Sequence, residues 1–184
     1  MQALRLTGAY NLIPDDIAAV SALTALTELD VSSALDEPGS VRRRRVAALA
    51  AALLPLRRLR VLGASSYEDV SRTDAAALGA GLAHCDLRDL RLERMPLGAP
   101  IAESLCALLP QLTRLQLPSC ELGDAGVLAV VHAVAAAAPA LMAHLDLRCN
   151  QCSPAGVDAA RRELRHLPSL RRVALLESER HPVS

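Results

Sequence analysis

The sequence predicts an α/β solenoid, a horseshoe of about seven parallel β-strands on a concave face and α-helices on a convex face. Three observations carry this expectation. A short leucine pattern, L-x-x-L-x-L, recurs seven times along the chain. Helix-like stretches fill the intervals between the copies. The composition is 52% hydrophobic with no Trp and no Phe, so Leu, Ala and Val must fill the core. Layers of similar small side chains suit a stacked, repetitive packing better than a pocket built around large rings.

The copies start at Met1, Leu26, Leu56, Leu87, Leu112, Met142 and Leu170, with spacings of 25, 30, 31, 25, 30 and 28 residues. One such match is easy in a leucine-rich chain; seven near one period are not. Each copy ends in alternating apolar and polar residues, the period-two signature of a strand. Leu29 and Val31, Leu90 and Leu92, and Leu145 and Leu147 are examples. The intervening helices are expected over 14–23, 41–54, 73–83, 99–109, 124–138 and 154–167. Asp124 follows Gly123, and Ser153-Pro154 offers an N-cap followed by proline at the first helical position. Strand then helix, repeated with one hand of crossover, yields adjacent parallel strands with helices outside. The 184 residues are read as a single domain spanning 1–184.

These copies resemble the leucine-rich repeats of ribonuclease-inhibitor-like proteins, whose units run L-x-x-L-x-L-x-x-N/C-x-L, then a glycine turn and an apolar helix. LTRLQLPSCELGDAGVLAVVHAV and HLDLRCNQCSPAGVDAARREL carry the likeness best, with Cys120 and Asn150 at the N/C position. In that family this side chain ties down the turn backbone. The other copies place Ala9, Ala34, Ala64, Met95 and Ser178 there, so their turns need other partners, with Ser65 and Ser66 nearby. Irregular loops are expected in the first three repeats. SSALDEPGSVRRRR is the clearest insertion.

Alternation places the residues between the leucines on the concave face. The first column reads Ala3, Glu28, Arg58, Asp89, Arg114, His144, Arg172. The second reads Arg5, Asp30, Arg60, Arg91, Gln116, Asp146, Ala174. The third reads Thr7, Ser32, Leu62, Glu93, Pro118, Arg148, Leu176, and a fourth holds Gly63, Arg94, Ser119 and Cys149. Glu28, Arg58, Asp89 and Arg114 would form a lateral ion-pair ladder, because neighbouring strands lie ~4.8 Å apart. The simpler reading of these charges is mutual satisfaction and solubility. The functional reading is an arginine-rich protein-binding face made by Arg58, Arg60, Asp89, Arg91, Glu93, Arg94, Arg114, His144, Asp146 and Arg148.

Charge and composition exclude other classes. Basic and acidic residues number 20 each, and every basic residue is arginine. Zero net charge and the lack of stacking rings argue against nucleic-acid binding. The absence of lysine removes Schiff-base and P-loop chemistry. Gly79 and Gly81 fall inside a helical pattern, and no G-x-S-x-G or H-E-x-x-H is present. Glu177 and Glu179 read as a solvated pair. Val127 to Ala143 is the most apolar run, but His132 and Pro139 interrupt it, and it falls short of the ~20 residues of a membrane span. No secretory signal opens the chain.

Cys149 and Cys152 form a C-x-x-C. Structural zinc needs four ligands, usually from two such pairs; there is no second pair, and His144 and His166 are isolated. A redox pair needs a helix N-terminus to lower the thiol pKa, and Pro154 puts Cys152 near one. The five cysteines are read as reduced thiols in an intracellular, cytoplasmic setting, with Cys85 and Cys106 as small buried apolar groups. No metal or other cofactor is expected. The run Arg42 to Arg45 opposes the dipole at its helix start, which points to a holding group such as Asp36, Glu37 or an acidic partner, with nuclear targeting or nucleic-acid contact as the other reading of the run.

The expectation is a non-catalytic scaffold that binds a partner protein through its concave face. The resemblance also implies two alternatives. One is a small-GTPase regulator like Ran GTPase-activating proteins, although their long acidic tail has no counterpart in ESERHPVS. The other is the recognition part of a larger sensor or ubiquitin-ligase receptor. Strand residues Leu4 and Leu6 open the chain without a polar cap, so end-to-end self-association is also expected.

Overall fold

The computed structural model describes residues 2–7, 12–32, 45–66, 70–98, 100–105, 107–137 and 141–175. Seven strands form one all-parallel sheet in chain order. They are β1 (Ala3–Arg5), β2 (Glu28–Val31), β3 (Val61–Ser65), β4 (Asp89–Glu93), β5 (Arg114–Gln116), β6 (His144–Asp146) and β7 (Arg172–Ala174). Between them lie α1 (Pro14–Ala19, continued by a 3-10 turn over Val20–Ala22), α2 (Arg45–Leu53), α3 (Arg72–Ala83), α4 (Pro100–Leu105), α5 (Gly123–Ala137) and α6 (Pro154–Leu164). Each helix packs on the next.

The leucine pattern explains this order. Leu4, Leu29, Leu62, Leu90, Leu115, Leu145 and Val173 pair directly, strand to strand, as one ladder across the sheet. Leu29, Leu62, Leu90, Leu115 and Leu145 are fully buried, in one core with Leu49 and Leu53 of α2, Leu78 of α3, Val130 of α5 and Ala160 of α6. Each buried leucine contributes about 1.5–3 kcal/mol against exposure. Each strand begins on the previous unit: Thr27, Arg60, Arg88, Thr113, Ala143 and Arg171 donate their backbone N–H groups to the carbonyls of Gln2, Thr27, Arg60, Arg88, Thr113 and Ala143 at 2.7–2.9 Å. Thr27 and Thr113 repeat the bond with their hydroxyls at 2.8 Å.

That ladder corrects the third copy. Leu62 pairs with both Leu29 and Leu90, and Val61 with Glu28 and Asp89. The unit therefore starts at Leu59, three residues later than Leu56. The misreading has a physical source. A leucine packed on the core three residues before the strand-entry leucine is itself a repeat feature: Leu59 N–H bonds the Leu56 carbonyl at 3.0 Å as Leu26 bonds Leu23 at 2.9 Å and Leu112 bonds Leu109 at 3.3 Å. Leu56, Leu59 and Leu62 thus fit the pattern in two registers. The true third position is Ala64, less apolar than the rival Val61.

The helices lie where expected, with shorter ends for α4 and α6. Ser153 caps α6, its Oγ accepting from Gly156 N at 3.1 Å, and Ser71 caps α3 in the same way through Asp74 N at 3.1 Å. The two helical glycines are contact points. A Cβ on Gly81 would lie 2.6 Å from the Ala50 carbonyl of α2, and one on Gly79 would lie 2.1 Å from Ser104 Cβ of α4. Glycine lets α3 sit this close to both neighbours. Arg45 is 1% exposed at the start of α2, so this member of the arginine run is part of the interior surface. The other three, and most of the insertion before α2, lie outside the described residues, as do Ala9, Ala34, Cys106 and Ser178.

Candidate interaction surface

The sheet face opposite the leucine ladder is uncovered by the described helices and carries the charged residues. Its first column is Ala3, Glu28, Val61, Asp89, Arg114, His144 and Arg172, and its second is Arg5, Asp30, Gly63, Arg91, Gln116, Asp146 and Ala174. Ten residues were expected on this face. Asp89, Arg91, Glu93, Arg114, His144 and Asp146 stand in these strands, and Arg94 and Arg148 follow directly on the turns. Arg58 and Arg60 do not. Both are exposed ahead of β3, at the strand-entry edge, where Arg60 Nε lies 3.7 Å from Asp86. The three-residue shift that starts the unit at Leu59 removes them.

The expected ladder Glu28–Arg58–Asp89–Arg114 is therefore broken at β3. Glu28 instead receives Arg5 Nε at 2.7 Å. Asp30 accepts the Ser32 N–H at 2.9 Å and leans over Gly63, whose missing Cβ would lie 3.0 Å from its Oδ1. Val61, Gly63 and Ser65 leave an uncharged stripe. Beyond it Arg114 Nη1 donates to Asp89 Oδ2 at 3.0 Å and its Nε to His144 Nδ1 at 3.3 Å. With Nδ1 accepting, the imidazole proton sits on Nε2. Burial, then Arg114 and Arg172, hold the His144 pKa below its ordinary value, with Asp89 opposing. Asp89 itself is raised by burial, against the pull of Arg114. Arg91 and Arg94 both reach Glu93, at 2.6 and 3.5 Å. Arg148 grips Asp146 with two bonds of 2.8 and 2.5 Å. That bidentate fork adds geometric specificity to the pair.

The turns after β4, β5 and β6 share one device. Arg94, Ser119 and Cys149 adopt left-handed φ of 56, 59 and 58°. Each turn then drops Met95, Cys120 or Asn150 into the core. Asn150 is the best-connected of these. Its Oδ1 accepts from Cys120 N at 2.8 Å and Leu122 N at 3.3 Å, and its Nδ2 donates to the carbonyls of Leu117 at 2.7 Å and Leu147 at 2.9 Å. Cys120 Sγ donates to the Leu92 carbonyl at 3.3 Å. With the third unit starting at Leu59, its equivalent position is Tyr67 rather than Ala64 and lies outside the described residues; just ahead of it Ser65 and Ser66 are buried, and Ser66 N–H bonds the Glu93 carbonyl at 3.2 Å.

The C-x-x-C is divided between these tasks. Cys149 occupies the left-handed turn position, and Cys152 packs against the core beside Asp124. Burial, and then Asp124, push the Cys152 thiol up, opposite to the shift a reactive thiolate needs. Burial pushes Cys85 up to about 11 and Cys120 up to about 12. Among the described residues, no group of three or more His, Cys, Asp or Glu could hold a metal ion, and no helix is long and apolar enough to cross a membrane.

Sequence reasoning missed the Asp124–Ser153 link, in which Ser153 donates from its backbone N–H at 2.7 Å and from its hydroxyl at 2.6 Å. The bonds pull the Asp124 pKa down. The signal was present as a helix-start residue repeated 29 positions apart. No family model matches the chain, and comparison with curated proteins finds no match.

Proposed function

We propose that this chain is a leucine-rich-repeat solenoid of the ribonuclease-inhibitor-like kind, a non-catalytic module that binds a partner protein on its helix-free sheet face. One observation carries the reading. Asp89, Arg91, Glu93, Arg114, Asp146 and Arg148 form ion pairs with one another on a face that the described helices leave open. Arginine is enriched in interfaces, and its planar guanidinium loses less freedom per hydrogen bond formed than a flexible ammonium. The recurring pattern, the Asn150 and Cys120 turns and the in-order parallel sheet support the family assignment. The raised thiols of Cys85, Cys120 and Cys152 fit structural cysteines in a reducing compartment.

The test is affinity capture from native lysate with the wild-type chain beside an Arg91→Glu/Arg114→Glu variant and an Arg162→Glu control on the outer surface of α6. A protein retained by wild type and control but lost from the double variant is the expected result. The same proteins on all three baits would place the interface elsewhere and overturn the reading.

A further inference from the structure

The charge on the sheet face is polarised along the sheet. At β1 and β2 one arginine, Arg5, faces two carboxylates, Glu28 and Asp30. The uncharged β3 stripe follows. β4 and its turn are balanced, Arg91 and Arg94 against Asp89 and Glu93, and at β5 to β7, with the turn after β6, three arginines, Arg114, Arg148 and Arg172, stand with one carboxylate, Asp146. Within that half, Arg114, His144 and Arg172 occupy three successive positions of one column on adjacent strands. With strands ~4.8 Å apart, the column spans ~10 Å.

We propose, building on the protein-binding reading, that this column is the docking line for an acidic segment of the partner, one presenting at least two Asp or Glu carboxylates to Arg114, His144 and Arg172. Geometry favours this occupant. Carboxylates four residues apart on a helix lie ~6 Å apart, and those two apart on an extended strand ~7 Å; either spacing bridges neighbouring members of the column. Arg172 is exposed and makes no ion pair with a described residue. His144 turns Nδ1 to Arg114 and keeps Nε2–H as a second donor for a carboxylate oxygen. The neighbouring ion pairs fix the limits of the site: Asp89 holds Arg114 on one side, and Asp146 holds Arg148 on the next column. These interleaved carboxylates, and strands without a Phe, Tyr or Trp, disfavour a phosphate backbone as the ligand.

The experiment is fluorescence anisotropy of labelled octaglutamate against the full chain at low ionic strength, repeated with a single-stranded oligonucleotide of similar length. Variants are Arg172→Glu, the milder Arg172→Gln, and Arg162→Glu as a charge-matched control, each checked for folding by circular dichroism. The expected result is saturable peptide binding, weakened roughly tenfold or more by Arg172→Glu, less by Arg172→Gln, and little by Arg162→Glu. Absence of binding, equal loss in Arg172→Glu and Arg162→Glu, or tighter binding of the oligonucleotide would each overturn the proposal. A captured protein that is lost from Arg91→Glu/Arg114→Glu but kept by Arg172→Glu would refute the acidic-segment inference while leaving the protein-binding reading standing.

Discussion

Asp124 at the start of α5 and Ser153 at the cap of α6 are joined by two hydrogen bonds of 2.6 and 2.7 Å, so one carboxylate sets the spacing of two successive helices. The same Ser153 hydroxyl accepts from Gly156 N. A Cβ on Gly156 would lie 2.1 Å from Asp124 Oδ1, so any larger side chain there moves this carboxylate. Gly156→Ala is expected to displace the Asp124 carboxylate and cost its bonds to Ser153, a loss partly offset by alanine's helix propensity, roughly 1 kcal/mol better than glycine. Asp124→Ala should relieve much of that cost in the double variant, a positive coupling measurable by urea unfolding of the four proteins. Additive effects would mean that the two residues do not meet. The lowered Asp124 pKa gives a second readout. Its contribution is present above the unfolded carboxylate pKa and is lost as pH falls through the folded one, so Asp124→Asn should flatten the acid limb of the stability profile.

Asn150→Ala should be among the most damaging single changes. The residue is 2% exposed, and its amide satisfies backbone groups of two successive turns. Removing it leaves the Cys120 N–H and the Leu117 carbonyl without that partner in the interior, at a cost of at least about 3 kcal/mol. Equilibrium unfolding would show this as a lower midpoint with an unchanged slope. A loss below about 1 kcal/mol would mean that water replaces the amide.

Much of this fold was legible because its signals are local and repeated. Each leucine triplet marks a strand, and each Ser-Pro or Gly-Asp marks a helix start. The expectation failed where two repeat features looked alike, at Leu56, Leu59 and Leu62. There the choice of register rested on Val61 against Ala64, and only pairing with β2 and β4 decides it. The charged face was legible for Asp89, Arg91, Glu93, Arg94, Arg114, His144, Asp146 and Arg148, all in units whose register is unambiguous. The burial of Arg45 was not legible, because arginine in a run of four carries no mark of which side chain turns inward.

The β3 register is testable with one substitution. Val61 stands on the helix-free face between Glu28 and Asp89. Val61→Arg should therefore be tolerated within about 1 kcal/mol, by comparison with other surface changes, and completes the charge ladder. Leu62→Arg should unfold the protein, since Leu62 lies in the core. Thermal melts of the two variants give opposite answers for the two registers: in the alternative, Val61 is the core residue and its arginine variant is the one that collapses.

Thiol labelling separates the two halves of the C-x-x-C from the interior cysteines. Cys85 and Cys120 are buried and their thiols are pushed up to about 11 and 12, so at pH 8 they remain protonated and inaccessible. Cys149 and Cys152 are half-buried. Brief alkylation of the native chain at pH 8, followed by peptide mapping, should label Cys149 ahead of Cys152, whose thiol burial and Asp124 push up. Cys85 and Cys120 should label only in denaturant. Early labelling of Cys120 would contradict its bond to the Leu92 carbonyl.

His144 reports directly on the basic column. Its folded pKa is lowered, first by burial and then by Arg114 and Arg172, with Arg171 adding and Asp89 opposing. Below the unfolded histidine value of about 6.5 the unfolded state then binds more protons than the folded one. The residue therefore costs stability as pH falls through that value and has no effect above it. Histidine resonances followed by NMR through a pH titration should place His144 below the ordinary value and move it up in Arg172→Glu, where a repulsive neighbour becomes an attractive one. Octaglutamate at saturation should raise it in the wild-type chain, because a carboxylate beside the ring stabilises imidazolium. A titration that is unmoved by both the variant and the peptide would mean that Arg172 and His144 do not share a site, and the acidic docking line would lose its central residue.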